Sequence, residues 1–315
     1  MSGPVPGAGP GPLPLAPTRR TLAAAVLRRG RGRALPAGPV LVPDVRVDPA
    51  HLDAWGRVCH VRPGAALPAC YLHVLTWGAQ ARLLLGPGFP LAPVGLVHLA
   101  QRLEVLRPVD PREVLALRVA ARDLRPHRRG RQVDLVATAE AGGEVVWRGT
   151  STYLRREPGA GGGPPSTSRQ APDGGAPSTT DGGAPSTTDG GVDAALRGPL
   201  PDGVVRWDVP AGTGRAYAAV AGDPNPLHTS ALAARALGFP RPLAHGMWTL
   251  ARALGDLQGR APVTGVVDAR FRKPLLVPGR AVHGWHRRED GSLLLAVRRE
   301  RDGEPHLVAD VVPGA

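Results

Sequence analysis

Asp223 and His228 stand five positions apart in the stretch GDPNPLH, residues 222–228, and a second imidazole, His245, follows downstream with Gly246 directly behind it. An ordinary Asp is ionised near neutrality and an ordinary His is mostly neutral, so both can accept a proton there and pass it on. Facing one substrate, the pair could take a proton from one atom and return it to another. The same residue types also build turns: Asp and Asn accept backbone N–H bonds, and Pro224 and Pro226 fix the path of the chain. Two readings of the stretch therefore stand, a helix-capping turn and an acid–base pair.

Either reading needs elements that hold the stretch in place. Met247, Leu250, Leu254 and Leu257 recur at i, i+3, i+7 and i+10, which predicts a helix starting at His245-Gly246 with one apolar stripe. Alternating strands should follow, with turns at Asp290-Gly291 and Asp302-Gly303. An earlier part of the chain carries similar signals. Leu96, Leu99 and Leu103 predict a matching helix, and Gly142-Gly143 a matching turn.

The two parts also resemble each other residue by residue. Val45-Arg46-Val47-Asp48 parallels Val205-Arg206-Trp207-Asp208. Gly88-Phe89-Pro90 with Val94 to Leu99 parallels Gly238-Phe239-Pro240 with His245 to Leu250, and Arg102 to Pro108 parallels Ala269 to Pro274 more loosely. Duplication of one ancestral unit explains the likeness. Each unit should be a long helix wrapped by an antiparallel sheet, an α+β architecture.

Composition supports two domains and separates them. The 315 residues suffice for two cores, yet 42 Gly and 36 Pro are too many for packed structure throughout. They concentrate in residues 1–38, read as a flexible tail with a basic stretch from Arg19 to Arg33, and in 157–195, where DGGAPSTT occurs twice. Such a segment cannot bury enough apolar surface to fold and reads as a disordered linker, with a reach of about 30 Å. The domains are then 39–156 and 196–315.

The net charge of +13 rests almost wholly on arginine, with Lys273 the single lysine. Arginine grips phosphates, as on coenzyme A or an acidic carrier protein, but a GC-rich genome produces the same bias. Nucleic acid is not expected, because the basic residues are dispersed and no recognition motif or aromatic platform accompanies them. No apolar run reaches the roughly 18 residues a membrane span needs, and no signal-peptide core opens the chain, so a cytoplasmic location is expected. Cys59 and Cys70, near His60 and His73, match no metal-site spacing and read as buried thiols; no metal site is expected.

Residues from about 39 to 155 and 204 to 315 resemble the paired hot-dog domains of the MaoC-like, (R)-specific hydratase/dehydratase superfamily, and within it the double hot-dog 3-hydroxyacyl-thioester dehydratases of actinobacteria. The likeness rests on Tyr217 to His228, Gly238-Phe239-Pro240, Ala244-His245-Gly246-Met247 and Arg270 to Pro274. In the first unit it rests on Tyr71 to Leu75 and Gly95 to His98. It implies reversible dehydration of (R)-3-hydroxyacyl thioesters to trans-2-enoyl thioesters in fatty acid metabolism, with Asp223 and His228 as the catalytic dyad and no cofactor. The substrate would be an acyl-CoA or acyl-carrier-protein thioester.

That chemistry asks for more than a dyad. Charge develops on the thioester oxygen, and a backbone N–H at Gly246, at the start of a helix, could receive it; tight packing is the alternative reason for that glycine. Asn225 shapes the loop and His245 supports the helix start. Arg272 and Lys273 either meet the carrier phosphates or form a solvated strand end. The first unit has no Asp-to-His pair around Val58 to Gly64, and Val94 stands where His245 would be, so it should be a catalytically degenerate partner, with His60, His73 and His98 structural. The resemblance further implies a pseudo-dimer within one chain, with higher assembly left open. A hot-dog thioesterase and a non-catalytic acyl-thioester-binding module are the alternatives.

Overall fold

A computed structural model describes residues 34–93, 95–157, 192 and 198–314. Most of the tail, both DGGAPSTT copies and Val94 lie outside the described residues.

Each half begins with a strand that runs into a helix. Strand β1 (Val40–Val45) leads to α1 (Pro49–Cys59), where Asp48 accepts the Ala50 N–H at 2.9 Å and Pro49 occupies the first turn, both favourable at a helix start. A left-handed His60, φ 55°, ends that helix. Next come α2 (Ala69–Leu84) and strands β2 (Leu96–Val105), β3 (Leu115–His127), β4 (Gly130–Ala141) and β5 (Glu144–Arg156). The second half repeats the order with β6 (Val205–Val209), α3 (Thr213–Ala221) and two short helices, α4 (Pro226–Thr229) and α5 (Ala231–Ala236). The central helix α6 (Gly246–Asp256) then precedes β7 (Gly265–Phe271), β8 (Gly279–Arg287), β9 (Leu293–Arg299) and β10 (Pro305–Pro313).

These strands form one ten-stranded sheet in the order β1-β3-β4-β5-β2-β7-β10-β9-β8-β6. The order reads the same from both edges once β6 to β10 are matched with β1 to β5. The halves meet at β2 and β7, paired antiparallel from Ala100 opposite Arg270 to Val105 opposite Gly265. This is the double hot-dog arrangement, a dimer interface within one chain. The core is also shared: Tyr71 and Leu75 of the first half belong to one buried cluster with Tyr217, Met247 and Leu250 of the second. Truncating a buried leucine there, such as Leu250, should cost about 2–5 kcal/mol. Beyond the second half's sheet, Val192 is buried against Leu294, Ala296 and Val308.

The turns at Gly142-Gly143, Gly291 and Gly303 fall where the sequence places them, all with positive φ. The helix expected at Leu96, Leu99 and Leu103 does not exist. Those residues lie in β2, where a bulge between His98 and Ala100 interrupts the period of two. The first half's central helix is α2, buried on nearly every side from Cys70 to Leu84, so it carries no apolar stripe to read. Two of the residue parallels fall with it. Gly88-Phe89-Pro90 follows the central helix of its half, whereas Gly238-Phe239-Pro240 precedes the central helix of the other. The counterpart of His245, which caps α6, is Pro68, which caps α2, and not Val94.

With that alignment the two halves differ in the path between their first and central helices. After α3 the chain takes a long path, 223–245, that carries Asp223, Asn225 and His228 before it enters α6. After α1 the corresponding path is only 61–68, too short to hold such a loop.

Candidate active site

The loop after α3 is built by its own residue types. Asn225 accepts the Leu227 N–H at 3.1 Å and starts α4, with Pro226 in the first turn. Asp223 does not cap a helix. Its Oδ1 accepts the Asn225 N–H at 3.3 Å, a local turn that leaves Oδ2 directed towards His245 Nε2, 3.6 Å away. The capping reading therefore holds for Asn225, while the Asp223 carboxylate is left facing His245.

His228 Nδ1 lies 3.0 Å from the Leu243 carbonyl. A carbonyl only accepts, so Nδ1 carries the proton of the neutral ring and Nε2 keeps a lone pair. His245 is turned the other way: Nε2 donates to the Asp223 carbonyl at 3.1 Å, while its buried Nδ1 has no hydrogen-bond partner among the described residues. The two imidazoles stack, centroids 3.7 Å apart and planes at 26°, and Tyr217 packs beside His245 at 4.9 Å. Asp223, His245 and His228 thus form one cluster, in which His245 both precedes α6 and contacts Asp223 and His228.

Burial sets the charge states. Desolvation raises the Asp223 carboxyl to about 6 although its side chain keeps 23% exposure. The same effect lowers His228 to about 4 and pushes His245 well below the usual imidazole range. At neutral pH the cluster holds one carboxylate and two neutral imidazoles.

Gly246 opens α6, ahead of the first intrahelical bond from Thr249 N to the His245 carbonyl. Its amide belongs to the orphan donors of a helix start. The glycine also has a packing reason, since a Cβ there would sit 2.9 Å from the Phe271 ring. Asp223, Asn225, His228, His245, Gly246, Arg272 and Lys273 all line one groove. Arg272 and Lys273 are exposed, and Lys273 reaches Glu304 at 3.4 Å.

The first half supplies the opposite wall. His73, Trp77 and Ala81 of α2, His98 of β2 and Tyr153 of β5 line the same groove. His98 stacks on Tyr153, at 4.6 Å, and meets Phe271 of the other half at a tilt, at 4.8 Å. His60 ends α1 instead. Cys59 and Cys70 are buried free thiols, Cys70 pushed up to about 12 by desolvation, which leaves it inert as a nucleophile. Among the described residues no cluster of three or more His, Cys, Asp or Glu could hold a metal.

Comparison with known proteins decides the family. Residues 206–289 match the MaoC like domain model. The 3-hydroxyacyl-thioester dehydratase X of Mycobacterium tuberculosis is 34% identical over 278 residues, 88% of this chain and 90% of its own length. The chain belongs to the MaoC-like dehydratase family. The crystal structure of HtdX from the same organism matches with a TM-score of 0.70 at 31% identity, covering 88% of this chain and 100% of that one. A MaoC-like dehydratase from Phytophthora capsici, at 16% identity and a TM-score of 0.63, covers 88% and 96% and shares the fold.

As a MaoC-like dehydratase the chain is a hydro-lyase with a double hot-dog fold. The GDPNPLH loop and the His-Gly helix start, read as separate motifs in sequence, are brought into contact in its groove. Sequence reasoning missed Trp77, Ala81 and Phe271 as groove residues and gave Tyr217 no role. Tyr217 and Phe271 lie inside stretches that carry the family likeness, whereas no motif marks Trp77 and Ala81, which reach the groove because α2 packs beside the loop after α3. No described helix is long and apolar enough to cross a membrane.

Proposed function

We propose that the chain interconverts (R)-3-hydroxyacyl and trans-2-enoyl thioesters, with Asp223 and His228 as the proton-handling pair. The observation that carries this reading is the lone pair of His228 Nε2 and the Asp223 carboxylate on one groove wall, beside the open N-terminus of α6.

In hydration, a water between the pair adds its oxygen to C3 and its proton reaches C2; dehydration runs the same exchange backwards. Neither group carries an acidic proton at neutral pH, so the proton delivered at the end of a turnover is the one collected at its start. The negative charge developing on the thioester oxygen would be met by the Gly246 N–H and the positive end of α6. The first half contributes no acid–base pair and serves as the acyl wall through α2. Arg272 and Lys273, at the groove surface, fit the phosphates of coenzyme A or of a carrier-bound pantetheine.

Loss of the conjugated enoyl-thioester absorbance, followed on coenzyme A and on carrier-protein substrates, tests the reaction and the carrier together. Asp223→Asn and His228→Ala should each lower turnover by at least about a hundredfold with the fold intact. Wild-type turnover in both variants would overturn the assignment, and release of free thiol without hydration would point to a thioesterase.

A further inference from the structure

The peptide planes on both sides of Asp223 are held by ring N–H donors. On the far side, His245 Nε2 donates to the Asp223 carbonyl at 3.1 Å. On the near side, the Gly222 carbonyl accepts the indole N–H of Trp77 at 2.8 Å. Trp77 stands on α2, so this second bond crosses from the first half of the chain to the loop of the second. Gly222 is the left-handed end of α3, φ 68° and ψ 18°, with its own N–H returned to the Ala218 carbonyl at 3.0 Å. A chain that turns there and then meets Pro224 and Pro226 has few backbone donors with which to fix itself. The indole supplies the Gly222 carbonyl with an anchor from outside the loop.

We propose that Trp77 is a positioning residue for the reaction, through which the degenerate half holds the Gly222-Asp223 peptide plane and so aims the Asp223 carboxylate. The two halves use the device reciprocally. Trp248 on α6 donates its indole N–H to the Val58 carbonyl in the last turn of α1 at 2.9 Å. At that end the chain continues into the short path 61–68, with no catalytic loop to hold. Trp248 therefore makes the same kind of bond across the halves and serves as an internal control.

The inference rests on Asp223 being catalytic, and its test separates the two claims. Trp77→Phe and Trp248→Phe are compared with wild type in two measurements, hydration kinetics and the carboxyl carbon titration of Asp223 by NMR, which needs no turnover. In Trp77→Phe, kcat should fall about tenfold or more with KM within about twofold, as expected for lost alignment rather than lost binding. The Asp223 midpoint should move down by about one pH unit as water reaches the freed carboxylate. Trp248→Phe should lose stability yet keep both the wild-type kcat and the wild-type midpoint. Replacing Trp77 by 3-benzothienylalanine, which keeps the ring shape and lacks the N–H, should reproduce the Phe result if packing is not the cause. An unchanged midpoint with unchanged kcat in the Trp77 variants would overturn the proposal, as would equal effects of the two Phe variants. Absence of turnover in the wild type would sink the reaction assignment alone, because the titration still decides whether Trp77 holds Asp223.

Discussion

His228 and His245 lie face to face, 3.7 Å between ring centroids, each with one nitrogen donating to a backbone carbonyl of the same loop. Stacked this closely and desolvated, the rings resist protonation, His245 the more strongly because a charge on His228 would oppose its own. On the proposed mechanism Asp223, raised to about 6, is the group whose titration should limit activity.

The pH dependence of kcat/KM should follow. Above about 6 Asp223 is ionised and His228 neutral, so the pair is competent; below it the carboxylate takes up a proton and activity falls with one limb, well before His228 titrates near 4. The limb should shift little with temperature, as a carboxylate's ionisation does, whereas an imidazole limb would move clearly. A limb with imidazole-like temperature dependence would assign it to His228 instead.

Asp223→Asn should stabilise the fold while abolishing activity. The folded carboxyl is raised above its ordinary value near 4, so its favourable contribution is present when protonated and is lost as pH rises through about 6. The Asn variant avoids that loss. Its melting temperature should exceed wild type at pH 8, a gain on the order of 1–2 kcal/mol, and the gap should close towards pH 4. Thermal unfolding at the two pH values measures this, and a variant less stable at pH 8 contradicts it.

Gly246 has two reasons to be glycine, and a pair of variants separates them. In a Phe271→Leu background, which gives room where the Phe271 ring stood, Gly246→Ala keeps the amide N–H and Gly246→Pro removes it. Proline is well tolerated at the first helical position, and His245, at φ −68° and ψ 141°, already has the backbone that precedes a proline. Turnover should survive the Ala change and drop about a hundredfold or more with Pro. Equal turnover in the two would leave packing as the glycine's whole purpose.

Ala81, 2% exposed, faces the groove from α2. Ala81→Phe should reduce kcat/KM for long acyl thioesters at least about tenfold more than for short ones, because the added ring occupies tail space and leaves the dyad alone. Kinetics across a chain-length series reads this directly, and a loss independent of chain length would place Ala81 outside the acyl wall.

The sequence by itself determined what short-range chemistry dictates. The turn at Gly222, the Asn225 cap, the glycine turns between strands and the α6 stripe through Met247 and Leu250 are each specified by a few neighbouring residues, so they could be read directly. What needed the tertiary structure is set by contacts distant in sequence. The first half's central helix could not be placed because α2 is buried almost all round and shows no stripe, while the bulge at His98 gave β2 a false one. Which nitrogen of His228 is free depends on the Leu243 carbonyl, and the charge of Asp223 depends on how deeply the folded chain buries it. The bond from Trp77 to Gly222 joins residues 145 positions apart. It forms because β2 and β7 seal the halves together and so press α2 against the loop after α3, an outcome of packing that neither segment specifies alone.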